Sequence, residues 1–321
     1  MGDRSISNAK MAPRRPFLAG AVLLASLGLS VWLIGVPGNS PPSSKTSFPA
    51  VAPHETVNAI DPSGRALRVL VVGDSVAGSL AVGLAKEANR FHAVVVNEGH
   101  PGCSVGMDGK LKVLFWQLPP GDPCVLDHPE VLLETWKSWV TAWDPDVVLY
   151  IARGDLFEQE INGSWGLPGQ PMFDAWLHKR FASASKILTS RGAHLLLATP
   201  PVSNSAVASD GSHVAEDDPN RVVAIDRVLQ AAAASSQGTS VIDLGGRFSP
   251  NREFTKTLDS VTIRCVDGVH FTRAAGSMSA SLVFNQAWKF GGTHRKNAPE
   301  VATWPGRRPP SAPGWYRRLA C

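Results

Sequence analysis

Apolar residues recur through residues 66–290 in two patterns, short β-branched runs and longer stretches with apolar positions three or four residues apart. The runs predict buried strands and the longer spacing predicts amphipathic helices. Five strands are expected, at residues 68–72, 92–97, 146–152, 193–199 and 240–244. Five helices are expected, at residues 76–89, 129–143, 172–191, 217–236 and 272–290. This alternation predicts a single three-layer α/β domain, in which helices cover both faces of a five-stranded, mostly parallel sheet.

The N-terminal region has a different pattern. Residues 17–36 contain no charged side chain, and a helix of 20 residues is long enough to cross a bilayer once. Residues 1–16 are basic, which predicts a cytoplasmic N-terminus and an exported remainder. Arg14 and Arg15 also fit a twin-arginine export signal, and the sequence leaves this open beside a plain signal anchor. We expect the segment to be retained as a transmembrane anchor, because no good cleavage site follows it closely.

Two further segments lack apolar periodicity. Residues 37–65 are rich in Pro and Ser and predict a flexible stalk, and residues 291–321 predict an irregular, basic, Pro-rich tail. The net charge of +4 is concentrated near the two ends of the chain. The middle is nearly balanced, so the charge pattern argues against a nucleic-acid partner and fits a membrane surface better.

The chain has four cysteines, Cys103, Cys124, Cys265 and Cys321. In an exported protein four cysteines predict two disulfides, and three pairings are possible. The short loop between Cys103 and Cys124 favours that pair. Cys265 would then join Cys321 and hold the C-terminal tail beside the loop that follows Cys265.

A candidate nucleophile follows the first predicted strand. The strand ends in Gly73-Asp74-Ser75 and a helix comes next, which places Ser75 at a helix N-terminus on the edge of the sheet where ligands bind. Free backbone N–H groups and the helix dipole at that position can stabilise an oxyanion. By itself the motif is a weak signal, because a strand, a turn and an N-capping serine also explain it.

A candidate base lies far downstream, in Asp267-Gly268-Val269-His270, just before the last predicted helix. A serine nucleophile needs a base, and the base needs an acceptor that fixes its tautomer. His270 and Asp267 can supply both functions from one loop. The combination of Ser75 with this loop, at opposite ends of an alternating α/β domain, predicts serine-dependent acyl chemistry.

With these motifs, residues 66–290 resemble the SGNH (GDSL-like) hydrolase superfamily. The resemblance implies a flavodoxin-like fold, with Ser75 as nucleophile and Asp267 and His270 as the other triad members. The second block of the family is a glycine whose backbone N–H joins the oxyanion hole. Gly102 fits that position best by spacing and Gly99 fits second, although both are also plausible turn glycines.

The third block departs from the family pattern. Where the family has Gly-x-Asn-Asp, this chain has Ala152-Arg153-Gly154-Asp155, so Gly154 replaces the asparagine that donates to the oxyanion. Loss of one such donor costs about 2.7–4 kcal/mol of transition-state stabilisation. Either Arg153 or a backbone N–H replaces it, or the enzyme is slow. Arg153 could instead bind an anionic substrate, and we expect it to form a salt bridge with Asp155 or Glu158.

A narrower resemblance sharpens the expected substrate. The segments at residues 69–75, 102–103 and 265–272 look like SGNH domains fused to integral-membrane acyltransferases that O-acylate surface polysaccharides. This implies an extracytoplasmic O-acyl esterase or acyltransferase. It would act on an acylated carbohydrate or acyl donor, alone or with a separate membrane acyltransferase. The alternative is a degenerate SGNH-fold module that binds cell-wall glycan or such a partner.

No histidine or cysteine spacing predicts a metal site, and no cofactor is expected. Trp116 and Trp165 are the candidates for stacking on a sugar.

Overall fold

The computed structural model describes residues 65–106, 111–112, 129–205, 214–297 and 321. Its ten strands are β1 (Leu67–Gly73), β2 (Ala93–Gly99), β3 (Leu111–Lys112), β4 (Val147–Ile151), β5 (Glu158–Ile161), β6 (Ser164–Gly166), β7 (His194–Ala198), β8 (Thr239–Ile242), β9 (Thr257–Leu258) and β10 (Val261–Thr262). Its six α-helices are α1 (Ser75–Glu87), α2 (Pro129–Trp143), α3 (Pro171–Leu188), α4 (Pro219–Ser235), α5 (Leu244–Phe248) and α6 (Arg273–Asn297). All these elements belong to one compact unit, Glu55–Cys321.

The main sheet has five parallel strands in the order β2-β1-β4-β7-β8. The inner strands β1 and β4 are fully buried apolar runs, as parallel strands usually are, whereas the strands at the two edges of the sheet, β2 and β8, are partly exposed. The predicted five-stranded α/β domain is therefore confirmed. Since every connection returns the chain to the same direction, the carboxyl ends of all five strands lie at one edge.

Helices cover both faces of this sheet. Helices α2, α3 and α4 pack on one face, where Trp136, Phe181 and Leu229 join the alternate strand residues Leu70 and Val148. Helices α1, α5 and α6 pack on the other face in a second apolar cluster. The close contact between α1 and α6 depends on glycines, because a Cβ on Gly83 would collide with the backbone of α6.

The pattern analysis missed the short elements. Strands β3, β5 and β6 form a small antiparallel sheet, and β9 pairs with β10. These strands have two to four residues each, which is too short for a repeated apolar pattern. Helix α6 also continues to Asn297, so the first residues of the predicted irregular tail are helical.

The predicted transmembrane segment, residues 17–36, lies outside the described residues, and so does the predicted stalk, residues 37–65, except for Arg65. Among the helices that the structure describes, none combines the length and the apolar character needed to span a bilayer.

Candidate active site

The nucleophile turn lies at the carboxyl end of β1. Gly73 has φ +131°, and a Cβ there would collide with the carbonyl oxygen of Ile151 on β4, so this position requires glycine. Asp74 caps α1 by accepting a hydrogen bond from the backbone N–H of Val76 at 2.8 Å. Ser75 is the first residue of α1, which holds its hydroxyl at the edge of the sheet.

Three side chains form one hydrogen-bonded chain at this edge. Nε2 of His270 lies 2.8 Å from Oγ of Ser75, although the two residues are 195 positions apart in sequence. Nδ1 of His270 lies 2.6 Å from Oδ2 of Asp267. This is the arrangement of a nucleophile, a general base and an orienting carboxylate, in which Nδ1 donates to Asp267 and Nε2 accepts the serine proton.

The base loop, residues 265–271, is shaped by its own hydrogen bonds. Oδ1 of Asp267 accepts from the backbone N–H groups of Val269 at 2.9 Å and His270 at 3.0 Å. Burial opposes ionisation of Asp267, but the hydrogen bonds from the His270 ring and from these N–H groups outweigh it and hold its pKa well below the ordinary value. The carboxylate therefore stays ionised and can stabilise the imidazolium that forms during catalysis.

Contacts with neighbouring elements fix the base loop in place. Gly268 has φ +67° and lies directly against the backbone of Asn204, which follows β7, and the Asn204 N–H donates to the Gly268 carbonyl at 3.1 Å. Ser79 on α1 is fully buried, and its Oγ accepts from the N–H of Phe271 at 3.1 Å. Ser79 therefore ties the base loop to the nucleophile helix. Sequence reasoning missed this role, although a serine one helical turn after Ser75 was its visible signal.

A disulfide joins the base loop to the C-terminal residue. Cys265 is bonded to Cys321, which confirms the expected pair. Cys103 is also disulfide-bonded, and its expected partner, Cys124, lies outside the described residues. Beneath the loop, the buried guanidinium of Arg264 lies 4.2 Å from the ring centroid of Phe271, and burial lowers the pKa of Arg264 to about 9.

The structure separates the two glycines proposed for the second block. The N–H of Gly99 donates to Oδ1 of Asn97 at 3.1 Å, so it is not free for a substrate. Gly102 has φ +76°, and its N–H has no hydrogen-bond partner among the residues that the structure describes. The same is true of the N–H of Ser75. These two N–H groups are the candidate oxyanion donors on this side of the site.

The third block is bound to the nucleophile turn through Asp74. Oδ2 of Asp74 accepts from the backbone N–H groups of Arg153 at 2.7 Å and Gly154 at 2.8 Å. Burial raises the pKa of Asp74 above its ordinary value, although these hydrogen bonds and the one from Val76 oppose the shift. Gly154 was a candidate oxyanion residue, but its N–H is occupied by Asp74 and it has no side chain to offer.

The expected salt bridge between Arg153 and Asp155 or Glu158 is wrong. Nη2 of Arg153 lies 2.9 Å from Oδ1 of Asp217 and 3.6 Å from Oε1 of Glu216. These two acidic residues belong to the short 3₁₀ turn Ala215–Asp217, about sixty residues further along the chain. The sequence contains no indication of this ion pair, because the turn reaches the end of β4 only in the folded chain.

Asp155 instead connects the second and third blocks. Its carboxylate accepts from the Tyr150 hydroxyl at 2.6 Å and from the N–H of Gly106 at 2.8 Å. The same hydroxyl accepts from the N–H of Val105 at 2.9 Å. Burial raises the pKa of Asp155 to about 6. This buried network holds the loop after Gly102 against the end of β4.

The fold and the three-residue chain define a serine-hydrolase type of site on a flavodoxin-like sheet. Among the described residues, no cluster of three or more His, Cys, Asp or Glu side chains could hold a metal ion. A family model described as the SGNH domain (fused to AT3 domains) matches residues 44–283. The chain belongs to this SGNH domain family, and with that membership it is an SGNH-type serine esterase.

Solved structures of two esterases are similar to this chain. The native M. smegmatis aryl esterase is 17% identical, with a TM-score of 0.44, over 70% of this chain and 100% of its own. A catalytic mutant of an acetylxylan esterase from Geobacillus stearothermophilus is also 17% identical, with a TM-score of 0.42, over 70% of this chain and 95% of its own. A search of the curated proteins found no match.

Proposed function

We propose that this protein is an extracytoplasmic O-acyl esterase or acyltransferase that acts on cell-surface carbohydrate, most simply on O-acetyl groups. The single observation that carries the chemistry is the continuous chain from Oγ of Ser75 through His270 to Asp267. Residues that lie 195 positions apart meet within hydrogen-bond distance, in an order that activates a serine.

The geometry supports a two-step reaction. Nε2 of His270 takes the hydroxyl proton while Oγ of Ser75 attacks the acyl carbon, and the N–H groups of Ser75 and Gly102 are placed to bind the oxyanion. Collapse breaks the ester C–O bond, and His270 returns the proton to the leaving alcohol. A second hydroxyl, from water or from a sugar, then attacks the acyl-enzyme with His270 as base. Collapse of this intermediate breaks the bond between the acyl carbon and Oγ of Ser75, and His270 returns the proton to Oγ. Hydrolysis and transfer therefore use the same residues and differ only in the acceptor.

The family description supports the assignment to acyl transfer at a membrane, since its SGNH domains are fused to AT3 domains. We propose that a separate membrane acyltransferase supplies the acyl group to this chain. We further propose that residues 17–36 anchor the chain in the membrane, with the catalytic domain outside the cytoplasm. The disulfide between Cys265 and Cys321 supports an oxidising compartment.

One aromatic side chain supports a carbohydrate substrate. Trp165 lies on the edge strand β6 and is 41% exposed, although large aromatic residues are usually buried. Strands β5 and β6 follow Gly154 along the chain, so they leave the main sheet from the carboxyl end of β4, the edge at which the catalytic residues lie. An exposed indole provides an apolar face on which a sugar ring can stack. Trp116, the other candidate, lies outside the described residues.

The proposal is tested with the full chain purified in detergent. We expect hydrolysis of 4-nitrophenyl acetate and labelling by a fluorophosphonate probe, both of them lost in Ser75→Ala. Incubation with an acetylated glycan, followed by mass spectrometry of the glycan, then tests the substrate class. Trp165→Ala is expected to raise KM for the glycan and to leave that for the small ester unchanged.

Two results would contradict the proposal. If neither ester is turned over in a Ser75-dependent manner and the probe does not label the protein, the alternative of a glycan-binding module without turnover is favoured. If small esters react but acetylated glycans do not, the esterase chemistry stands and the carbohydrate substrate is wrong. Glycan analysis of a deletion strain separates addition of acyl groups from their removal.

A further inference from the structure

The oxyanion hole has a gap on the side of β4. Gly154 occupies the position of the family asparagine and has no side chain. The two backbone N–H groups nearest to this gap, those of Arg153 and Gly154, both donate to Oδ2 of Asp74. Neither can therefore turn toward a substrate without leaving a buried carboxylate short of a partner, which is costly. The backbone does not fill the gap.

The guanidinium of Arg153 is the remaining donor at the end of β4. Strand β4 is the direct neighbour of β1, so the residue after its carboxyl end lies beside the nucleophile turn. The guanidinium is fixed from one side, by Nε donating to Oγ of Ser203 at 3.2 Å and Nη2 donating to Oγ of Ser205 at 2.7 Å. These serines flank Asn204, which binds the base loop through Gly268. Arg153 thus lies between the nucleophile turn and the base loop.

One edge of this guanidinium carries no partner. Nη1 of Arg153 makes no hydrogen bond within the part of the chain that the structure describes, whereas Nε and Nη2 are both occupied. The side chain retains 12% of its exposure, so it is not sealed in the core. The guanidinium is oriented through Nε and Nη2, and Nη1 is left as a donor in a fixed position, which is how a preorganised donor is built.

Two carboxylates orient this guanidinium. Asp217 and Glu216 both lie within 4 Å of Nη2. Since their contacts are with Nη2, Nη1 stays available to donate a charge-assisted hydrogen bond to a carbonyl oxygen, which becomes negative in the transition state.

We infer that Nη1 of Arg153 donates to the carbonyl oxygen of the bound ester and takes the place of the family asparagine in the oxyanion hole. This inference rests on the proposed acyl chemistry at Ser75. With the N–H groups of Ser75 and Gly102 it restores three donors. The third donor therefore comes from Arg153, one position before Gly154, which stands where the family motif has its asparagine.

The test compares an oxoester with its thionoester, 4-nitrophenyl acetate and the thionoacetate, in the full-length enzyme. Sulfur accepts hydrogen bonds weakly, so loss of an oxyanion donor slows the oxoester selectively. In Arg153→Met we expect kcat for the oxoester to fall about 100-fold, with a much smaller change for the thionoester. Arg227→Met, a change of the same type at an exposed position on α4, is the control and should match wild type.

Arg153→Lys covers the case in which Arg153→Met does not fold. Lysine can keep the ion pair with Asp217 but lacks a second nitrogen to point at the ester, so the oxoester is again expected to slow selectively. An oxoester-to-thionoester ratio equal to that of wild type in this variant, or an equal loss for both substrates, would overturn the inference. Wild-type enzyme without Ser75-dependent turnover would instead remove the proposed function, and the inference with it.

Discussion

The base loop and the third-block loop meet the same active site but are held in different ways. In the base loop, Asp267 and His270 interact with each other across three residues, and Oδ1 of Asp267 binds the backbone of its own loop. In the third block, the backbone of Arg153 and Gly154 is bound by Asp74, about eighty residues earlier in the chain. The internal shape of the base loop is determined locally, although Asn204 and Ser79 fix its position, whereas the conformation of the third block itself depends on a distant partner.

This difference explains which family motif is retained. A catalytic Asp-x-x-His needs its two side chains at a fixed spacing, so its sequence cannot vary without loss of the hydrogen-bonded chain. An oxyanion donor needs only an N–H at one point in space, and that point can be reached from several backbone positions. The third block can therefore lose its asparagine while the site keeps a donor, provided that distant residues hold the replacement.

The largest expected effect removes the orienting charge of the base loop. Asp267→Asn keeps the size of the side chain but favours the wrong tautomer of His270, and we expect kcat to fall roughly 10⁴-fold. Ester hydrolysis under single-turnover conditions measures it. Asp259→Asn, in the exposed turn between β9 and β10, should leave kcat unchanged. A loss below about tenfold in Asp267→Asn would show that the loop does not act through this carboxylate.

The disulfide tests whether the base loop is held only by its own hydrogen bonds. Cys265 and Cys321 are 56 residues apart, and closing a loop of that length contributes about 4 kcal/mol in the chain-entropy model. For Cys265→Ser/Cys321→Ser we expect the free energy of unfolding to fall by about 2–4 kcal/mol. We expect kcat at 25 °C to remain close to that of wild type, because Asp267 still shapes the loop. Urea unfolding and ester hydrolysis measure the two quantities, and a parallel collapse of kcat would contradict local determination.

Asp74→Asn tests the distant anchor of the third block. The amide cannot accept all three backbone hydrogen bonds, so at least one buried N–H loses its partner and we expect a destabilisation of about 1–3 kcal/mol. Asp218→Asn at the cap of α4 is the matched control, since that side chain caps only its own helix and asparagine caps equally well. Equal urea midpoints for the two variants would mean that Asp74 is no more than a helix cap.

The smallest expected effect is a pH dependence at Asp155. Its pKa is raised from 3.8 to about 6, so the folded state binds the proton more tightly than the unfolded state does. The contribution of Asp155 to stability is therefore greatest below pH 3.8 and is lost as the pH rises through about 6. In Asp155→Asn, the decline of unfolding free energy between pH 4 and about 6 should be shallower than in wild type. Asp226, whose pKa is also raised to about 6, is present in both proteins, so the difference reports on Asp155 alone. If urea titrations across this pH range give the same pH dependence of the unfolding free energy for wild type and Asp155→Asn, the assignment is contradicted.

Most of the fold follows from local pattern. The predicted strand at residues 68–72 is Leu67–Gly73 in the structure, and the predicted helix at residues 129–143 is Pro129–Trp143. Such elements are long enough for the apolar period to repeat and are buried by neighbours of the same kind. The short strands β3, β5 and β6 were missed because their pairing, not their own pattern, makes them strands.

The candidate site divides in the same manner. The identities of Ser75, Asp267 and His270 were visible as motifs, because each motif specifies a local turn and a fixed side-chain spacing. The partner of Arg153 was predicted wrongly, since Asp217 reaches it only through the loop after β7 and a 3₁₀ turn. Ser79 was missed because its position one helical turn after Ser75 does not by itself show which element packs against it.

The order of the longer strands and helices could be predicted from the sequence alone, and so could the two motifs that carry the nucleophile and the base. Local steric preferences and the apolar period suffice for these features. Which N–H groups are free at the oxyanion site and which are bound by Asp74 became visible only in the folded chain. That outcome depends on which backbone segments lie within about 3 Å of one buried carboxylate, a distance that no spacing along the chain encodes.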